Sequence, residues 1–339
     1  MKKGIVIINL GTIDSCNKRV LSNYLHQFLM DERVIDIPFG KRWLLVNLII
    51  VPFRTPKVLK EYRKLFTNEG SPLLVHSQKL AQAIQAELGE DYAVELAMRY
   101  QKPSIESALH KLRAKQVDEI IVFPLFPQYA SATVGSMHQE VMRIISGWHI
   151  IPQMHFVSSF YNNPLFTHCL AQHIQSTLNQ QPQAHLVFSY HGIPQRHIAQ
   201  STRCGLGNES DNRINYNYQS ACFHHSKLLG NQLQLSETQY TTCFQSRLGK
   251  DPWIEPYTSE TLVQLAQSGK KNIVVCAPSF VTDCLETTIE IGEQYRQLFL
   301  AHGGESFTWV ESLNSNAAWA KTLSEMIREV SPRVETSAE

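Results

Sequence analysis

The alternation of strand-like and helix-like patterns along the whole chain is the feature that most restricts its fold. Short apolar runs, typical of buried strands, are separated by segments in which apolar residues recur every three or four positions, the period of an amphipathic helix. This alternation predicts parallel sheets covered by helices. The predicted strands are 5–9, 34–37, 93–98 and 119–123 in the first half, and 184–189, 240–244, 273–277 and 307–310 in the second.

The predicted strands, four in each half, indicate two similar α/β lobes. Each lobe is expected to be a doubly wound, four-stranded parallel sheet flanked by helices, with a cleft between the lobes. The expected boundaries are 1–157 for the first lobe, 158–312 for the second, and 313–339 for a C-terminal segment. The helix of that last segment is predicted to pack back on the first lobe.

Composition narrows the class of protein. The 339 residues are 43% hydrophobic and 18% charged, as in folded globular proteins, and a net charge of +1 gives no reason to expect nucleic-acid binding. Seven cysteines without a C-x-x-C pair argue against a disulfide framework and a zinc ribbon. They predict reduced thiols in the cytoplasm. The N-terminal apolar run ends after Leu10 without a cleavage site, so a first strand is predicted rather than a signal peptide.

His191 occupies a position suited to chemistry. It lies in the string FSYHGIP, directly after the predicted strand 184–189, and open α/β sheets bind ligands at the carboxyl ends of their strands. Gly192 and Pro194 predict a turn that holds the imidazole at the rim of the sheet. Histidine exchanges a proton near neutral pH, with an ordinary pKa of about 6.5. The alternative is a hydrogen-bonded core histidine, and the strand-end position favours the chemical role.

A second candidate group is acidic and follows the predicted strand 273–277. Glu286, Glu290 and Glu293 are spaced i, i+4 and i+7, which places their carboxylates on one face of an α-helix. Like charges at this spacing repel, so a bound cation, or a route for protons and cations along the helix, would explain them. Two structural alternatives stay open: a capping box formed by Asp283 and Glu286, and a solvated acidic face.

The stretch 43–53 is almost wholly apolar and is flanked by lysines and arginines, with Glu61 as the one opposing charge. It is too short to cross a membrane. Three interpretations fit it: a segment that dips into a bilayer surface with its basic flanks on anionic headgroups, the apolar lip of a pocket, or a plain core helix.

The segment PQYASATVGS carries Tyr129, Ser131, Thr133 and Ser136 beyond the predicted strand 119–123. An aromatic ring and small hydroxyls at a strand end suit a flat ligand with polar edges. The alternative is that the hydroxyls form turns that open the next helix. A dinucleotide is not expected, because the first strand is followed by one glycine, Gly11, where the fingerprint needs three.

In this order, the motifs resemble those of the ferrochelatases, the enzymes that insert ferrous iron into a porphyrin at the end of haem synthesis. The matching strings run from INLGT at Ile8 through MRYQKPSIESAL, PQYASATVGS, FSYHGIP and CFQSRLGKDPWIEPYTSETL to FVTDCLET and ESLN. The resemblance covers nearly the whole chain. It implies two Rossmann-like lobes, a porphyrin cleft between them, and an apolar lip at about 39–56 that faces a membrane.

The resemblance also implies roles for individual residues. His191 and Glu286 correspond to the catalytic pair and to the groups nearest the metal, and Glu290 and Glu293 are predicted to carry protons or metal along the helix. His191 is expected to accept pyrrole protons, but imidazole is also a good ferrous ligand, and both roles stay open. The residues expected to contact porphyrin are Leu10, Arg99, Tyr100, Tyr129, Ser131 and Thr133.

Porphyrin and ferrous iron are therefore the expected substrates, protohaem and two protons the products, and no tightly bound cofactor is expected. An iron–sulfur cluster, which animal relatives hold, is not expected, because Ser131 replaces one cysteine ligand and no cysteine follows Cys284. Leu10 stands where some relatives place Met or Tyr near the metal, and Cys284 where animal relatives have His. The segment 201–218 fits the family poorly and receives no role. We expect a cytoplasmic protein in peripheral contact with the inner membrane surface.

Protoporphyrin is the expected substrate because the apolar lip suits a ring with few carboxylates. Two alternatives stay open: a chelatase for coproporphyrin or sirohydrochlorin, and a non-catalytic carrier of haem or porphyrin. Sirohydrochlorin carries many carboxylates and calls for a basic cleft, whereas a carrier has no use for a path that conducts cations.

Overall fold

The computed structural model describes residues 2–203, 216–247, 249 and 251–331. Two parallel four-stranded sheets form its framework, as the alternating pattern predicts. The strands of the first sheet are β1 (Lys3–Asn9), β2 (Tyr92–Met98), β3 (Glu119–Pro124) and β4 (Gln153–Phe156). The strands of the second are β5 (His185–His191), β6 (Tyr240–Gln245), β7 (Asn272–Cys276) and β8 (Ser306–Trp309).

Both sheets have the same topology. The order is β2-β1-β3-β4 in the first sheet and β6-β5-β7-β8 in the second, with parallel pairing throughout. The first strand of each sheet therefore lies between the second and the third, which creates a topological switch point. Sheets of this kind bind ligands beyond the carboxyl ends of the strands at that point. In the first sheet the switch point follows Asn9, and in the second it follows His191.

One predicted strand is wrong. In residues 34–37 the backbone N–H groups of Val34 and Ile35 donate to the carbonyl of Asp31, at 3.1 and 3.0 Å. The segment therefore satisfies its backbone in a turn rather than in a sheet. The fourth strand of the first sheet is instead β4, a four-residue edge strand with no fully buried residue, which leaves little periodicity in the sequence.

Helices cover both sheets. The α-helices of the described residues are α1 (Lys18–Leu29), α2 (Phe39–Leu44), α3 (Val51–Leu65), α4 (Pro72–Leu88), α5 (Ile105–Ala114), α6 (Ser136–Ile145), α7 (Pro164–Leu178), α8 (Gln195–Arg203), α9 (Tyr218–Gln232), α10 (Thr258–Gln267), α11 (Arg296–Ala301) and α12 (Ala317–Val330). Three further segments are π-helical: π1 (Leu45–Ile50), π2 (Ser131–Gly135) and π3 (Leu285–Tyr295). π-Helical turns are rare and occur frequently at functional sites. All three lie in segments for which the sequence predicts a ligand or membrane role.

The two lobes share one hydrophobic core. A continuous cluster of buried side chains joins both sheets through Ile5, Phe123, Phe188 and Val274. Helix α12 packs on α4 and α7 and contributes the fully buried Trp319 to this cluster. The end of α12 is held by Lys3, whose ammonium group donates to the Ser331 carbonyl at 2.5 Å and pairs with Glu119 at 3.0 Å.

Candidate active site

Strand β5 delivers His191 to the carboxyl edge of the second sheet. The ring donates from Nδ1 to the Gly192 carbonyl at 2.6 Å, and because a carbonyl oxygen only accepts, Nε2 keeps its lone pair. Within the described part of the chain, no polar group bonds to Nε2. The ring centroid lies 6.3 Å from that of Trp253 and 6.1 Å from that of Phe280. His191 is therefore a base held in one tautomer with its accepting nitrogen available.

The residues around His191 fix the strand end. The Gly192 N–H donates to the Gln245 carbonyl at 2.9 Å, and a Cβ on Gly192 would lie 2.9 Å from the same oxygen, so glycine is required there. The His191 carbonyl accepts from the Tyr218 hydroxyl at 2.8 Å. Tyr218 also lies 3.1 Å from the Ser279 hydroxyl. Sequence reasoning missed Tyr218, because nothing in its local context connects it to β5.

Glu286 reaches the same edge from π3. The Gln245 side chain donates from Nε2 to the Glu286 carbonyl at 2.9 Å. Gln245 is also the β6 residue that pairs in register with His191. Gln245 therefore links two segments that are far apart in the chain: it pairs with His191 in the sheet, and its side chain binds the backbone carbonyl of Glu286.

The first turn of π3 differs from the prediction. Its capping box joins Cys284 and Thr287 rather than Asp283 and Glu286, and the Cys284 N–H donates to the Thr287 hydroxyl at 3.0 Å. The capping-box alternative for Glu286 is therefore wrong. The Glu286 carboxylate has no capping function.

Asp283 anchors the loop that precedes π3. Its buried carboxylate accepts from the Thr287 hydroxyl at 2.9 Å, the Ser312 N–H at 3.1 Å and the Asn314 side-chain amide at 2.6 Å. Three donors satisfy the carboxylate, as a buried charge requires. The ESLN string thus has a structural role, because its serine and asparagine position the start of the helix that carries Glu286.

The charge of Glu286 acts on helices of the first lobe. Burial and the charge of Glu286 together raise the pKa of Tyr62 in α3 and of the Cys284 thiol. Burial, Tyr62 and Glu286 raise the pKa of Tyr24 in α1. Both phenols and the thiol therefore stay protonated, which places neutral hydrogen-bonding groups near the Glu286 carboxylate.

The other two glutamates of π3 have partners of their own. Glu290 accepts from the Ser246 N–H at 2.9 Å, the Ser246 hydroxyl at 2.6 Å and the Tyr295 hydroxyl at 2.7 Å. Glu293 forms an ion pair with Lys64 of α3. The α-helical spacing from which the sequence places all three glutamates on one face does not describe a π-helix, whose turns close from i to i+5. Among the described residues, no three His, Cys, Asp or Glu side chains form a group that could hold a metal ion.

Leu10 follows β1 directly and packs against a hydrophobic cluster to which π3 also contributes. Together with Leu285 of π3, it packs against a cluster that includes Ile289 of π3 and the fully buried Val46 of π1. The first lobe therefore presents an apolar side chain towards the helix that carries Glu286.

Arg99 and Tyr100 are engaged with Asp31. The Arg99 guanidinium lies 2.9 Å from the Asp31 carboxylate, and the Tyr100 hydroxyl donates to the same carboxylate at 2.8 Å. The Ser136 hydroxyl accepts from Arg99 Nε at 2.6 Å, and only 2% of Tyr100 is exposed. The structure thus ties both of these predicted porphyrin contacts to an internal carboxylate.

Tyr129, Ser131 and Thr133 lie in and before π2, where the lobes meet. The Tyr129 ring packs edge-to-face against Tyr216 of the second lobe, with centroids 5.0 Å apart. The Ser131 hydroxyl accepts from the Arg33 guanidinium at 2.8 Å. The Thr133 hydroxyl donates to a backbone carbonyl three residues earlier, at 3.3 Å, as the turn alternative predicts.

A polar cavity of about 190 Å³ lies between the lobes beside Ser131. It is lined by Glu32, Arg33, Asp36, Ser131, His197 and Gln200. Asp36 forms an ion pair with Arg196 of α8 at 2.7 Å, and Arg196 also pairs with Asp251 at 2.6 Å. The pair with Asp36 joins the segment before α2 to the helix that follows His191.

The segment 39–56 exposes its apolar side chains. Helix α2, π1 and α3 follow one another without a break, and Phe53 is 80% exposed. The other exposed apolar residues of this segment are Phe39, Trp43, Leu44, Leu48 and Ile49. The core-helix interpretation is therefore wrong. Over the described ranges, no helix has the length and apolar character needed to span a bilayer.

Comparison with known proteins identifies the family. The family model for ferrochelatase matches residues 2–331. The chain belongs to the ferrochelatase family. The curated ferrochelatases of Legionella pneumophila (strain Lens) and Coxiella burnetii (strain Dugway 5J108-111) are 41% and 40% identical to it. The matches cover 97% and 96% of this chain and 99% and 93% of the two relatives. The chain is thus a metal chelatase.

Solved structures of other chelatases share the fold. SirB from Bacillus subtilis with Fe3+ has a TM-score of 0.57 and covers 98% of this chain and 96% of its own, at 12% identity. The sirohydrochlorin chelatase SirB from Bacillus subtilis subspecies spizizenii, in complex with cobalt, has a TM-score of 0.55 at 12% identity and covers 97% and 95%. The predicted architecture of two lobes with parallel sheets is confirmed.

Proposed function

We propose that this ferrochelatase-family chain inserts ferrous iron into protoporphyrin IX and yields protohaem and two protons. The similarity to curated ferrochelatases over nearly the whole chain supports this activity. Within the structure, the observation that supports it is that Gln245 pairs with His191 in the sheet and binds the Glu286 backbone carbonyl through its side chain. Iron and porphyrin are both substrates of this reaction rather than resident cofactors.

His191 is proposed to accept the two pyrrole protons one after the other, because Nε2 holds one proton and must release it before it takes the next. Its bond to the Gly192 carbonyl fixes the tautomer in which Nε2 accepts, so a pyrrole N–H within hydrogen-bonding reach can transfer its proton there. The Glu286 carboxylate, at the same strand edge, stabilises the imidazolium that results. The lone pair of Nε2 serves either a proton or iron at one time, so proton uptake and iron ligation by His191 are separate events.

Metal entry also requires a bent ring, because a planar macrocycle holds its N–H hydrogens where the metal must go. Such strain costs about 1–5 kcal/mol and is offset by contacts remote from the metal. We assign those contacts to Leu10, Tyr129 and Ser131, with Thr133 nearby. Arg99 and Tyr100 join them only if their network with Asp31 opens.

Glu290 and Glu293 are proposed to serve as a path for protons or metal. Glu290 lies 3.4 Å from Gln245 Nε2, the same group that binds the Glu286 carbonyl, so it is the nearer of the two to the reaction. Glu293 is paired with Lys64, and a cation that uses Glu293 must displace that lysine.

We propose that the protein works in the cytoplasm at a membrane surface and without an iron–sulfur cluster. Ser131 replaces one cysteine ligand of the clustered relatives, and the exposed apolar segment 39–56 with its basic flanks suits an anionic bilayer surface.

The experiment that tests the activity is metal insertion under anaerobic conditions. Purified protein is incubated with ferrous iron and protoporphyrin, coproporphyrin or sirohydrochlorin, and loss of tetrapyrrole fluorescence is followed. Insertion is expected to be fastest with protoporphyrin. His191→Ala should lower turnover about 10²- to 10⁴-fold, whereas the exposed His149→Ala should not. Porphyrin binding without metal uptake by the unmodified chain would support the carrier alternative instead.

The membrane proposal has a matched pair of variants. Phe53 is 80% exposed within the apolar segment, and Ile150 is 78% exposed outside it. Phe53→Ser should weaken binding to anionic vesicles about tenfold, because one large apolar side chain no longer enters the bilayer. Ile150→Ser should bind as the unmodified chain does. Equal binding by all three proteins would contradict the proposal.

A further inference from the structure

Arg33 places a positive charge beside the interlobe cavity without an acidic partner. Among the described residues, its guanidinium donates to the Ser131 hydroxyl at 2.8 Å and to the Gln139 side chain, both of which are neutral. A guanidinium presents five donors in a planar fork that matches a carboxylate. Two neutral acceptors leave donors and charge available for an anion.

The acidic residues that line the cavity do not neutralise Arg33. Asp36 is bound by Arg196, with contacts of 2.7 and 2.8 Å. Glu32 is exposed and accepts from the Gln139 amide at 3.2 Å. Among the described residues, neither carboxylate forms an ion pair with the guanidinium of Arg33, which lines the same cavity.

Three polar groups converge at Gly135, next to this cavity. A Cβ built on Gly135 would lie 3.0 Å from the Tyr129 hydroxyl, 3.2 Å from Arg33 Nη1 and 3.6 Å from the Ser131 hydroxyl. The family resemblance predicts that Tyr129 and Ser131 contact the porphyrin. Glycine therefore leaves room where an aromatic hydroxyl, a serine and a guanidinium meet.

Arg99 offers a contrast within the same lobe. Its guanidinium is paired with Asp31, whose side chain is 6% exposed, so its charge is already compensated inside the protein. We propose that Arg33, rather than Arg99, binds a carboxylate of the tetrapyrrole substrate at the cavity between π2 and α8. This inference rests on the proposed function, because it takes the substrate to be a porphyrin that carries carboxylates.

The test compares protoporphyrin with its dimethyl ester, which keeps the ring and removes the charge. Dissociation constants are measured in detergent by quenching of porphyrin fluorescence. Arg33→Met is expected to weaken protoporphyrin binding about 10- to 100-fold, the usual range for a lost hydrogen bond to a charged group, and to leave ester binding unchanged. Arg33→Lys keeps the charge but lacks the planar guanidinium, and it should lose less affinity for protoporphyrin than Arg33→Met.

Arg19→Met is the matched control, because Arg19 is an exposed arginine of α1 that does not line the cavity. It should bind both porphyrins as the unmodified protein does. Equal losses for acid and ester, or no loss for the acid, would overturn the inference. If Arg33→Met unfolds, Arg33→Lys is used instead. A loss of affinity for protoporphyrin without a loss for its dimethyl ester would then support the inference, and equal losses would overturn it.

The two proposals fail in different ways. If the unmodified chain inserts iron but Arg33→Met binds protoporphyrin normally, the carboxylate site is rejected and the activity stands. If the unmodified chain prefers the acid through Arg33 but inserts no metal, the activity is rejected and the site stands.

Discussion

The carboxyl ends of β1 and β5 occupy equivalent positions in two sheets with the same strand order. Their last side chains differ: the first is a buried asparagine and the second is a half-buried histidine. Strand β1 ends in Asn9, whose side chain is buried: its Nδ2 donates to the Ser77 hydroxyl at 3.2 Å, and its Oδ1 accepts from the Leu10 N–H at 2.8 Å. Strand β5 ends in His191, which is half-buried and binds the Gly192 carbonyl through Nδ1, so that Nε2 keeps its lone pair. The two switch points therefore share one topology and differ in their side chains: the buried Asn9 side chain is hydrogen-bonded, whereas we propose that His191 accepts protons.

Substitution of Glu286, at the second switch point, is expected to give the largest loss of metal-insertion activity. Glu286→Gln keeps the size of the side chain and removes its charge, so we expect metal insertion to fall about 10²- to 10⁴-fold while the protein stays folded. At the first switch point, Leu10→Met conserves volume in an apolar cluster and should change turnover less than about threefold. Insertion of Zn²⁺ into protoporphyrin, followed by fluorescence, measures both. The exposed Glu237→Gln is the control for Glu286→Gln.

Substitution at the first switch point should instead lower the free energy of unfolding. Asn9→Ala leaves the Leu10 N–H and the Ser77 hydroxyl without a buried partner, which costs about 1–3 kcal/mol in the free energy of unfolding. His191→Ala removes a half-buried ring whose main bond is to its neighbour's carbonyl, and it should cost less than Asn9→Ala. Urea denaturation measures both variants. Equal destabilisation by His191→Ala and Asn9→Ala would contradict the expectation that the first switch point contributes more to stability.

Buried histidines in both lobes should make stability depend on pH. Burial lowers the pKa of His225 in α9 to about 3 and of His138 in α6 to about 4. The unfolded chain binds these protons from about pH 6.5 downward, whereas the folded chain does not, so stability is lost as pH falls from about 6.5 towards those values. Each histidine contributes a slope of about 1.4 kcal/mol per pH unit.

His225→Asn tests the second lobe, because its side-chain oxygen can replace Nδ1 as the acceptor of the Gln128 amide, at 2.9 Å in the native protein. We expect a shallower slope of unfolding free energy between pH 6 and pH 4.5, by about one proton. The exposed His149→Asn should keep the original slope. An unchanged slope for His225→Asn would show that His225 titrates alike in the folded and unfolded chains.

Removal of the Arg196–Asp36 ion pair between the lobes is expected to change the free energy of unfolding least. The Arg196 and Asp36 side chains are 39% and 21% exposed, so solvent screens their attraction. Arg196→Met should lower the free energy of unfolding by less than about 1 kcal/mol. The difference from the unmodified chain should shrink in about 1 M salt, where the Debye length is about 3 Å. A salt-independent loss would indicate that packing of the arginine stem, not charge, joins the lobes.

The fold was predictable wherever strands are buried on both faces. Buried parallel strands appear as continuous apolar runs, and every predicted strand except 34–37 is found. Strand β4 was missed because an edge strand of four residues carries no periodic signal. The segment 34–37 shows the reverse case, in which apolar residues before Pro38 form turns around the Asp31 carbonyl.

The candidate site was predictable residue by residue but not as a network. His191 and Glu286 each stand after a recognisable strand, so local context was sufficient to select them. The contacts between distant segments around the site were not predictable. They are the bond from Gln245 to the Glu286 carbonyl, the bond from Asn314 to Asp283, and the ion pair of Arg99 with Asp31. Each link joins segments whose separation in the chain carries no information about their distance in space.

Local patterns along the chain are sufficient to predict the two parallel sheets, the strand that leads to His191 and the helix that carries Glu286. The motifs are sufficient to recognise the family. The π-helical turns of that helix follow from packing between distant segments. Packing also determines that Arg99 pairs with Asp31, whereas Arg33 lines a cavity. The physical reason is that strand and helix patterns arise from neighbours a few residues apart, whereas the partner of a charge is set by packing between distant segments.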